Sequence, residues 1–337
     1  MNITMVTSQD VARLANVSQA TVSRAFREDV YINPETKKKV LKAAEELGYY
    51  PNYSARSLKN QKSGIIGLML SDADNMFYTK LTKSMEKYMK LRGYRLMLTY
   101  NDEDPDKERE CLESLISSRV EGVFCIPVSE RNRDLYDVMR KNGIHVVQVI
   151  RKMYDDLNTV VINDEMGGYL ATSYLLDRGH RNILITEYGF NEKMPVKTAG
   201  YMRAFQERGL SSEYAHILDL PFGVDTSALI AGAIVSNNAT AIITSNSPMT
   251  ISALKACKNQ GLEIPRDISF IAYDDSPWLD LLNITAMTHP MEDIGKSMAD
   301  MLYKMLDDSA VPPRPVSLEV KPYLLLRNSI RQVEPHP

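Results

Sequence analysis

From Gly64 onward, short apolar runs alternate with longer stretches in which apolar positions recur at helical spacing. The runs Ile65–Leu70, Arg95–Tyr100, Gly122–Ile126, His145–Ile150 and Val160–Ile162 predict buried strands. Stretches near Phe77–Leu91, Asp106–Ser118 and Arg131–Lys141 predict helices between the first four. A second set follows, with strands at Ile183–Thr186, His216–Leu220, Ala241–Thr244, Ile268–Tyr273 and Ala286–Thr288. Its helices fall near Met166–Leu176, Val196–Arg208, Thr226–Ser236 and Met249–Asn259. Alternation of this kind predicts a parallel sheet with helices on both faces, here twice over, as two tandem doubly wound subdomains.

Before Gly64 the pattern is helical only. Thr7 is placed to cap a helix, its hydroxyl accepting the amide of Asp10 while the Asp10 carboxylate reaches back. Val11, Leu14 and Ala15 then share one face. Asn16 tolerates the left-handed backbone of a turn, and Ser18 caps a second helix whose inward residues are Val22, Ala25 and Phe26. Gln19, Ala20, Ser23 and Arg24 are left pointing outward. Two helices with a tight turn, the second exposing small and hydrogen-bonding side chains, match a helix-turn-helix laid in a major groove; an ordinary terminal helical hairpin is the competing reading. Asn33-Pro34-Glu35 starts a third helix with an inward stripe of Val40, Leu41, Ala44 and Leu47, which Gly48 stops. A polar, basic connector with a short conditional helix follows, from Tyr49 to Ser63.

Charge separates the same regions. Met1 to Lys62 carries 10 Lys+Arg against 6 Asp+Glu, a net of +4, leaving −7 for the remainder of a chain whose overall charge is −3. Only the head is therefore expected to meet phosphate. Lys37, Lys38 and Lys39, taken alone, read as a solvated helix face. The three cysteines, Cys111, Cys125 and Cys257, are odd in number and far apart, which argues for a reducing compartment and against a disulfide or zinc framework. No charged-then-apolar leader opens the chain and no apolar run approaches membrane-spanning length, so a cytoplasmic protein without membrane contact is expected.

Several motifs carry a resemblance to the lactose-repressor (LacI/GalR) family of bacterial transcription regulators. In the head they are Asp10-Val11-Ala12, Val17-Ser18, Thr21-Val22-Ser23-Arg24, Gly48-Tyr49, Pro51-Asn52 and Ala55-Arg56-Ser57-Leu58. In the body they are Gly64-Ile65-Ile66-Gly67, Gly179-His180-Arg181, Ala199-Gly200-Tyr201 and Tyr273-Asp274-Asp275. The resemblance runs to about Ser329. It implies a helix-turn-helix domain at 1–49, a hinge helix and linker at 50–63, and a periplasmic-binding-protein-like body at 64–337. The N-subdomain would take about 64–162 and 290–322, and the C-subdomain about 163–289 and 323–330. It also implies that helix Met291–Leu306 crosses back to the first subdomain and that the strand near Tyr323–Leu326 straddles both.

For DNA, the resemblance implies a contact set of Thr7, Ser18, Gln19, Ala20, Thr21, Ser23 and Arg24. Thr21 and Ser23 would hold phosphates, while Gln19, Ala20 and Arg24 face base edges, Arg24 being the candidate for a bidentate contact to guanine. Leu58 would wedge into the minor groove from a hinge shaped by Asn52 and Ala55, a helix too short to persist unless paired and bound. One helix-turn-helix reads few base pairs, so a homodimer on a palindromic operator is expected.

Doubly wound sheets bind ligands at the carboxyl ends of their strands, where strand order reverses, and two facing sheets place two such ends around one cleft. Ser71–Tyr78 with Asp72, Pro127–Ser129 and Arg151 should reach it from the first subdomain, Asn163–Asp164 at the crossing, and Glu187–Lys197, Phe222, Asn246–Ser247 and Tyr273–Asp274 from the second. The resemblance adds Phe77 and Tyr78 as an aromatic pair stacking on a ligand ring, and Asn246 and Asp274 as hydrogen-bonding contacts. Trp278, the only tryptophan, either closes on a ring or packs at the rim.

Four positions depart from the family pattern. Met76 replaces a usual proline, Ile150 and Ser247 stand where aspartates are common, and Lys197 replaces an effector-clamping arginine, losing its bidentate fork. Fewer carboxylates beside Lys197 and Arg151 suit an anionic effector such as a sugar phosphate, within a wider expectation of a sugar or sugar derivative.

A ligand-controlled repressor accounts for head, connector and body. Control by a non-sugar ligand or a protein co-regulator is the alternative, and a solute-binding transport component shares only the body. An enzyme has least support, because no P-loop, Gly-x-Gly-x-x-Gly or His-Glu-x-x-His pattern appears; no catalytic residue, cofactor or metal is expected. Whether the effector releases or recruits DNA is open, since either sign needs only differential affinity for two states.

Overall fold

A computed structural model describes residues 6–26, 30–50, 62–188, 196–307 and 314–334. The chain divides into two compact units, Met1–Ser63 and Gly64–Pro337. In the first, helices α1 (Ser8–Ala15), α2 (Gln19–Ala25) and α3 (Pro34–Leu47) enclose a small core of Val11, Ala12, Ala15, Val22, Ala25, Val40, Ala43 and Ala44. Local chemistry sets the helix ends. Thr7 and Asp10 form a reciprocal capping box, Asn16 turns at φ 52°, Ser18 caps α2 through the Thr21 amide, and Asn33 caps α3. Gly48 ends α3 at φ 63°, where a side chain would be strained.

The inward stripes differ from expectation at two positions. Leu14 is 46% and Leu41 40% exposed, while Ala12 and Ala43 turn inward. In α1 and α3 the packed face is turned so that an alanine, not the leucine, lies on the core side.

The second unit opens with β1 (Ile65–Leu70), α4 (Met76–Leu91), β2 (Arg95–Tyr100), α5 (Pro105–Ser117), β3 (Gly122–Cys125), α6 (Arg133–Lys141), β4 (His145–Ile150) and β5 (Asn158–Ile162). It continues with α7 (Asp164–Leu176), β6 (Ile183–Tyr188), α8 (Val196–Glu207), β7 (Ala215–Leu220), α9 (Ser227–Ser236), β8 (Ala241–Ile243), α10 (Ser247–Asn259) and β9 (Ser269–Tyr273). Then come α11 (Pro277–Leu281), which periodicity did not predict, β10 (Thr285–Thr288), α12 (Met291–Leu306), β11 (Ser317–Val320) and β12 (Tyr323–Leu325).

Two sheets result, ordered β2-β1-β3-β4-β5-β11 and β7-β6-β8-β9-β10-β12. Every pairing is parallel except β12 on β10. Each sheet is filled on both faces by apolar clusters, as a parallel sheet requires. The order reverses beside β1 in one sheet and β6 in the other, so the crevices β1/β3 and β6/β8 are the two topological switch points.

Helix α12 returns to the first sheet, where Met298 and Leu302 join its core. Among the described residues no single strand straddles both sheets. β11 pairs with β5 in the first (Leu318↔Val160), and Tyr323–Leu325 pairs only with β10 in the second (Met287↔Leu324). Pro322 lies between them, and proline's missing amide donor suits the change of sheet. No helix among the described residues is long and apolar enough to cross a membrane.

Candidate functional site

On the helix-turn-helix, Gln19, Ala20, Ser23 and Arg24 are all exposed along one side of α2. Gln19 Nε2 donates to Ser8 Oγ at 2.7 Å, which ties α2 to the start of α1, and the Thr21 hydroxyl shares a 2.9 Å hydrogen bond with Ser18. Thr7 and Ser18 act as caps. Asn52, Ala55 and Leu58 lie outside the described residues.

In the body, the expected segments do come together at the strand ends. On the first wall, Ile150 takes φ 67°, a costly conformation for a β-branched residue, and thereby turns Arg151 away from the line of β4. Arg151 then meets Glu103 through two hydrogen bonds of 2.9 and 3.0 Å, and also donates to the carbonyl of Pro127 at 3.0 Å. Burial pushes the Tyr78 phenol far above its usual range, Glu103 adds to this, and the charge of Arg151 opposes it. Phe77 is buried edge-on to both Tyr78 and His289, with ring centroids 5.4 and 5.6 Å away. Burial raises the Asp72 carboxyl, although its oxygen accepts the Asp74 amide at 2.7 Å.

The loop holding Pro127 and Ser129 is anchored from below. Glu108, wholly buried, accepts hydrogen bonds from the amides of Val128 and Ser129, from Asn132 and from the Tyr136 hydroxyl, at 2.7 to 3.1 Å. Four donors on one carboxylate offset its desolvation.

On the second wall, α7 and α8 cross almost in contact. A Cβ on Gly168 would stand 2.0 Å from the Lys197 carbonyl, and one on Gly200 would stand 1.8 Å from the Glu165 carbonyl. This close approach places Lys197 Nζ 3.6 Å from Asp164 and 4.9 Å from the centre of the Tyr273 ring. Burial opposes the lysine's charge, but Asp164, Glu187 and Asp274 together hold its pKa above the ordinary value. Tyr273 is fully buried, with no hydrogen-bond partner for its hydroxyl among the described residues.

Asp274, at φ 65°, points toward His289 Nε2 at 3.4 Å. Asn246 caps α10 through the Met249 amide at 2.9 Å and also hydrogen-bonds Tyr188, whose phenol is raised to about 12 chiefly by burial. Phe222 packs edge-on to Tyr188 at 5.3 Å. The two walls touch where Trp278 Nε1 donates to Met76 Sδ at 3.2 Å and where Lys80 donates to the Asp275 carbonyl. That contact gives Met76 a role that proline lacks.

Asn163 caps α7, donates to Glu319 at 2.8 Å, and lines a cavity of about 360 Å³ with Glu165, Met166, Tyr169, Leu170, Arg203 and Lys321. Glu103, Glu108 and His289 were not singled out from the sequence. Their placement follows from pairings across strand loops, and only the positive φ of Asp102 and Glu103 marks the loop after β2 as unusual. Among the described residues no group of three or more His, Cys, Asp or Glu side chains is placed to hold a metal ion.

Comparison with known proteins gives two family matches. Residues 7–52 match the family described as "Bacterial regulatory proteins, lacI family", and residues 63–321 match "Periplasmic binding proteins and sugar binding domain of LacI family". An HTH-type transcriptional repressor PurR of Vibrio campbellii is 31% identical over 98% of this chain and 100% of its own length. The structure of a Lac repressor dimer bound to operator and the anti-inducer ONPF has a TM-score of 0.80 at 20% identity, covering 97% of this chain and 100% of that one. A complex of the transcriptional regulator CelR with cellobiose has a TM-score of 0.69 at 23% identity, covering 96% and 99%.

Proposed function

The chain belongs to the LacI family of bacterial regulatory proteins, and on that premise we propose that it is a transcriptional repressor whose operator affinity is set by a small polyhydroxylated effector in the body cleft. It is a DNA-binding regulator and not an enzyme. The observation that carries the effector reading is the convergence of Tyr78, Asn246, Lys197 and Asp274 at the two switch points, where a doubly wound sheet binds ligands. The cellobiose seen in the CelR neighbour supports a sugar.

We assign DNA reading to residues 1–49, the hinge to 50–63 and effector binding and dimerisation to 64–337. Thr21 and Ser23 hold phosphates, and Gln19, Ala20 and Arg24 face bases. Thr7 and Ser18 fix the helix starts that present them. Asn52, Ala55 and Leu58 form the hinge contact with DNA. In the cleft, Phe77, Tyr78, Phe222 and Trp278 supply aromatic surface. Asp72, Asn246 and Asp274 supply hydrogen bonds, and Pro127, Ser129, Arg151, Asn163, Lys197 and Tyr273 shape and support the walls. The protein acts as a cytoplasmic homodimer on a palindrome whose half-sites lie about 34 Å apart. Differential affinity of the effector for two subdomain arrangements couples cleft to groove.

Selection of bound fragments from genomic DNA, followed by footprinting with and without sugars, tests this reading. Protection of a palindromic site that a sugar strengthens or releases supports it. Binding without sequence preference contradicts it.

A further inference from the structure

The β6/β8 switch point holds a carboxyl group that the family resemblance does not assign. Alternation along β6 puts Glu187 on the same side as Ile183 and Ile185, the side covered by α7 and α8. It is 8% exposed, and its Oε1 has no hydrogen-bond partner among the described residues. A buried polar atom left unpaired at the place where such sheets bind ligands is unmet hydrogen-bonding capacity beside the cleft.

Its charged neighbours come from every element around it. Asp164 approaches from α7, Lys197 from α8 and Asp219 from β7, with Ser245 beyond β8. Asp274, beyond β9, acts on the same lysine, and His289 faces Asp274. Asp164, Glu187 and Asp274 thus share one ammonium, that of Lys197. The cation of the opposite wall, Arg151, is already bound by Glu103. Burial raises Glu187 to about 7, so near neutrality it both donates and accepts, as a ligand hydroxyl does.

We propose that Glu187 is a specificity-determining residue of the effector cleft, which with Asp164 and Asp274 admits hydrogen-bond-donating ligands that carry no anionic group and rejects phosphorylated or carboxylated ones. This rests on the reading of the cleft as the effector site. It reverses the expectation of a sugar phosphate, because the two cations that suggested it are each engaged by a carboxylate.

The test is calorimetric titration of the full chain with matched pairs, ribose against ribose 5-phosphate and glucose against glucose 6-phosphate, together with cellobiose and glucosamine, at pH 6 and pH 8. At least one ligand without an anionic group should bind the wild type, with its phosphorylated counterpart at least tenfold weaker and weaker still at pH 8. Glu187→Gln, checked for folding by circular dichroism, should narrow the gap at least tenfold at pH 8. A phosphorylated sugar binding the wild type more tightly than its parent overturns the proposal while leaving the effector site intact, as does a Glu187→Gln gap within twofold of wild type. Failure of every ligand to bind overturns the proposal and the effector reading together. Glucose against glucuronate, whose carboxylate keeps one charge from pH 6 to pH 8, reads the same dependence in the wild type even if Glu187→Gln does not fold, and a gap unchanged between the two pH values overturns the proposal.

Discussion

Arg151 and Glu103 face each other through two parallel hydrogen bonds, Nη1 to Oε2 at 2.9 Å and Nη2 to Oε1 at 3.0 Å. The guanidinium is therefore committed before any ligand arrives, and it braces the loop after β2 against the carbonyl of Pro127. Glu103→Gln should leave a half-buried cation without its counter-charge and cost about 1–3 kcal/mol of stability in urea unfolding. It should also improve binding of phosphorylated sugars, since the freed guanidinium suits that geometry. An unchanged midpoint with unchanged ligand preference would show that the pair holds nothing in place.

Glu108 should be the most sensitive carboxylate of the first subdomain. Replacement by Leu removes the acceptor of four buried donors, so a loss of about 3–5 kcal/mol is expected, whereas Glu108→Gln should cost less. Thermal unfolding of the two variants beside the wild type measures this directly. Equal melting temperatures for wild type and Glu108→Leu would refute the anchoring role.

Two groups with opposite shifts should shape stability against pH. His180 is buried, bonded to Thr240 and to the Arg331 carbonyl, and burial lowers it from 6.5 to about 4. The folded state thus favours the neutral ring, and its contribution, full above pH 6.5, is lost as pH falls toward 4. Glu187 runs the other way. Burial raises it from 4.5 to about 7, so its contribution is full below pH 4.5 and is lost as pH rises through 7. Denaturation midpoints measured from pH 4 to 8 should fall at the acid end in the wild type but less in His180→Asn. Glu187→Gln should flatten the alkaline end instead.

Arg24 is exposed on the side of α2 assigned to base edges. Arg24→Ala should weaken operator binding by about 1–3 kcal/mol and relax sequence choice at one position of each half-site. Competition against random DNA checks it, and equal losses on specific and random sequences would make Arg24 a phosphate contact instead.

What the sequence disclosed was chiefly what neighbouring residues decide among themselves. The Thr7–Asp10 box, the turn at Asn16 and the stop at Gly48 are local, and apolar runs marked ten of the twelve strands described, missing β11 and leaving β12 to the family resemblance. Leu14 and Leu41 were misplaced because spacing defines a helical face but not its rotation against partners, and Ala12 and Ala43 face the core instead. The engagement of Arg151 and Lys197 was hidden for a related reason. Glu103 and Asp164 reach them from separate elements, and the Lys197 placement depends on the glycine crossing of α7 and α8. Charge counts along a chain could not reveal which cations were already paired.

The central claim is tested most directly by fluorescence anisotropy on a footprinted operator, with protein titrated in the presence and absence of the neutral sugar that binds the cleft. Operator affinity should change at least fivefold, in either direction, with no change on random DNA, and the effect should be lost in Asp274→Ala. Identical operator isotherms with and without a sugar shown to occupy the cleft would contradict it.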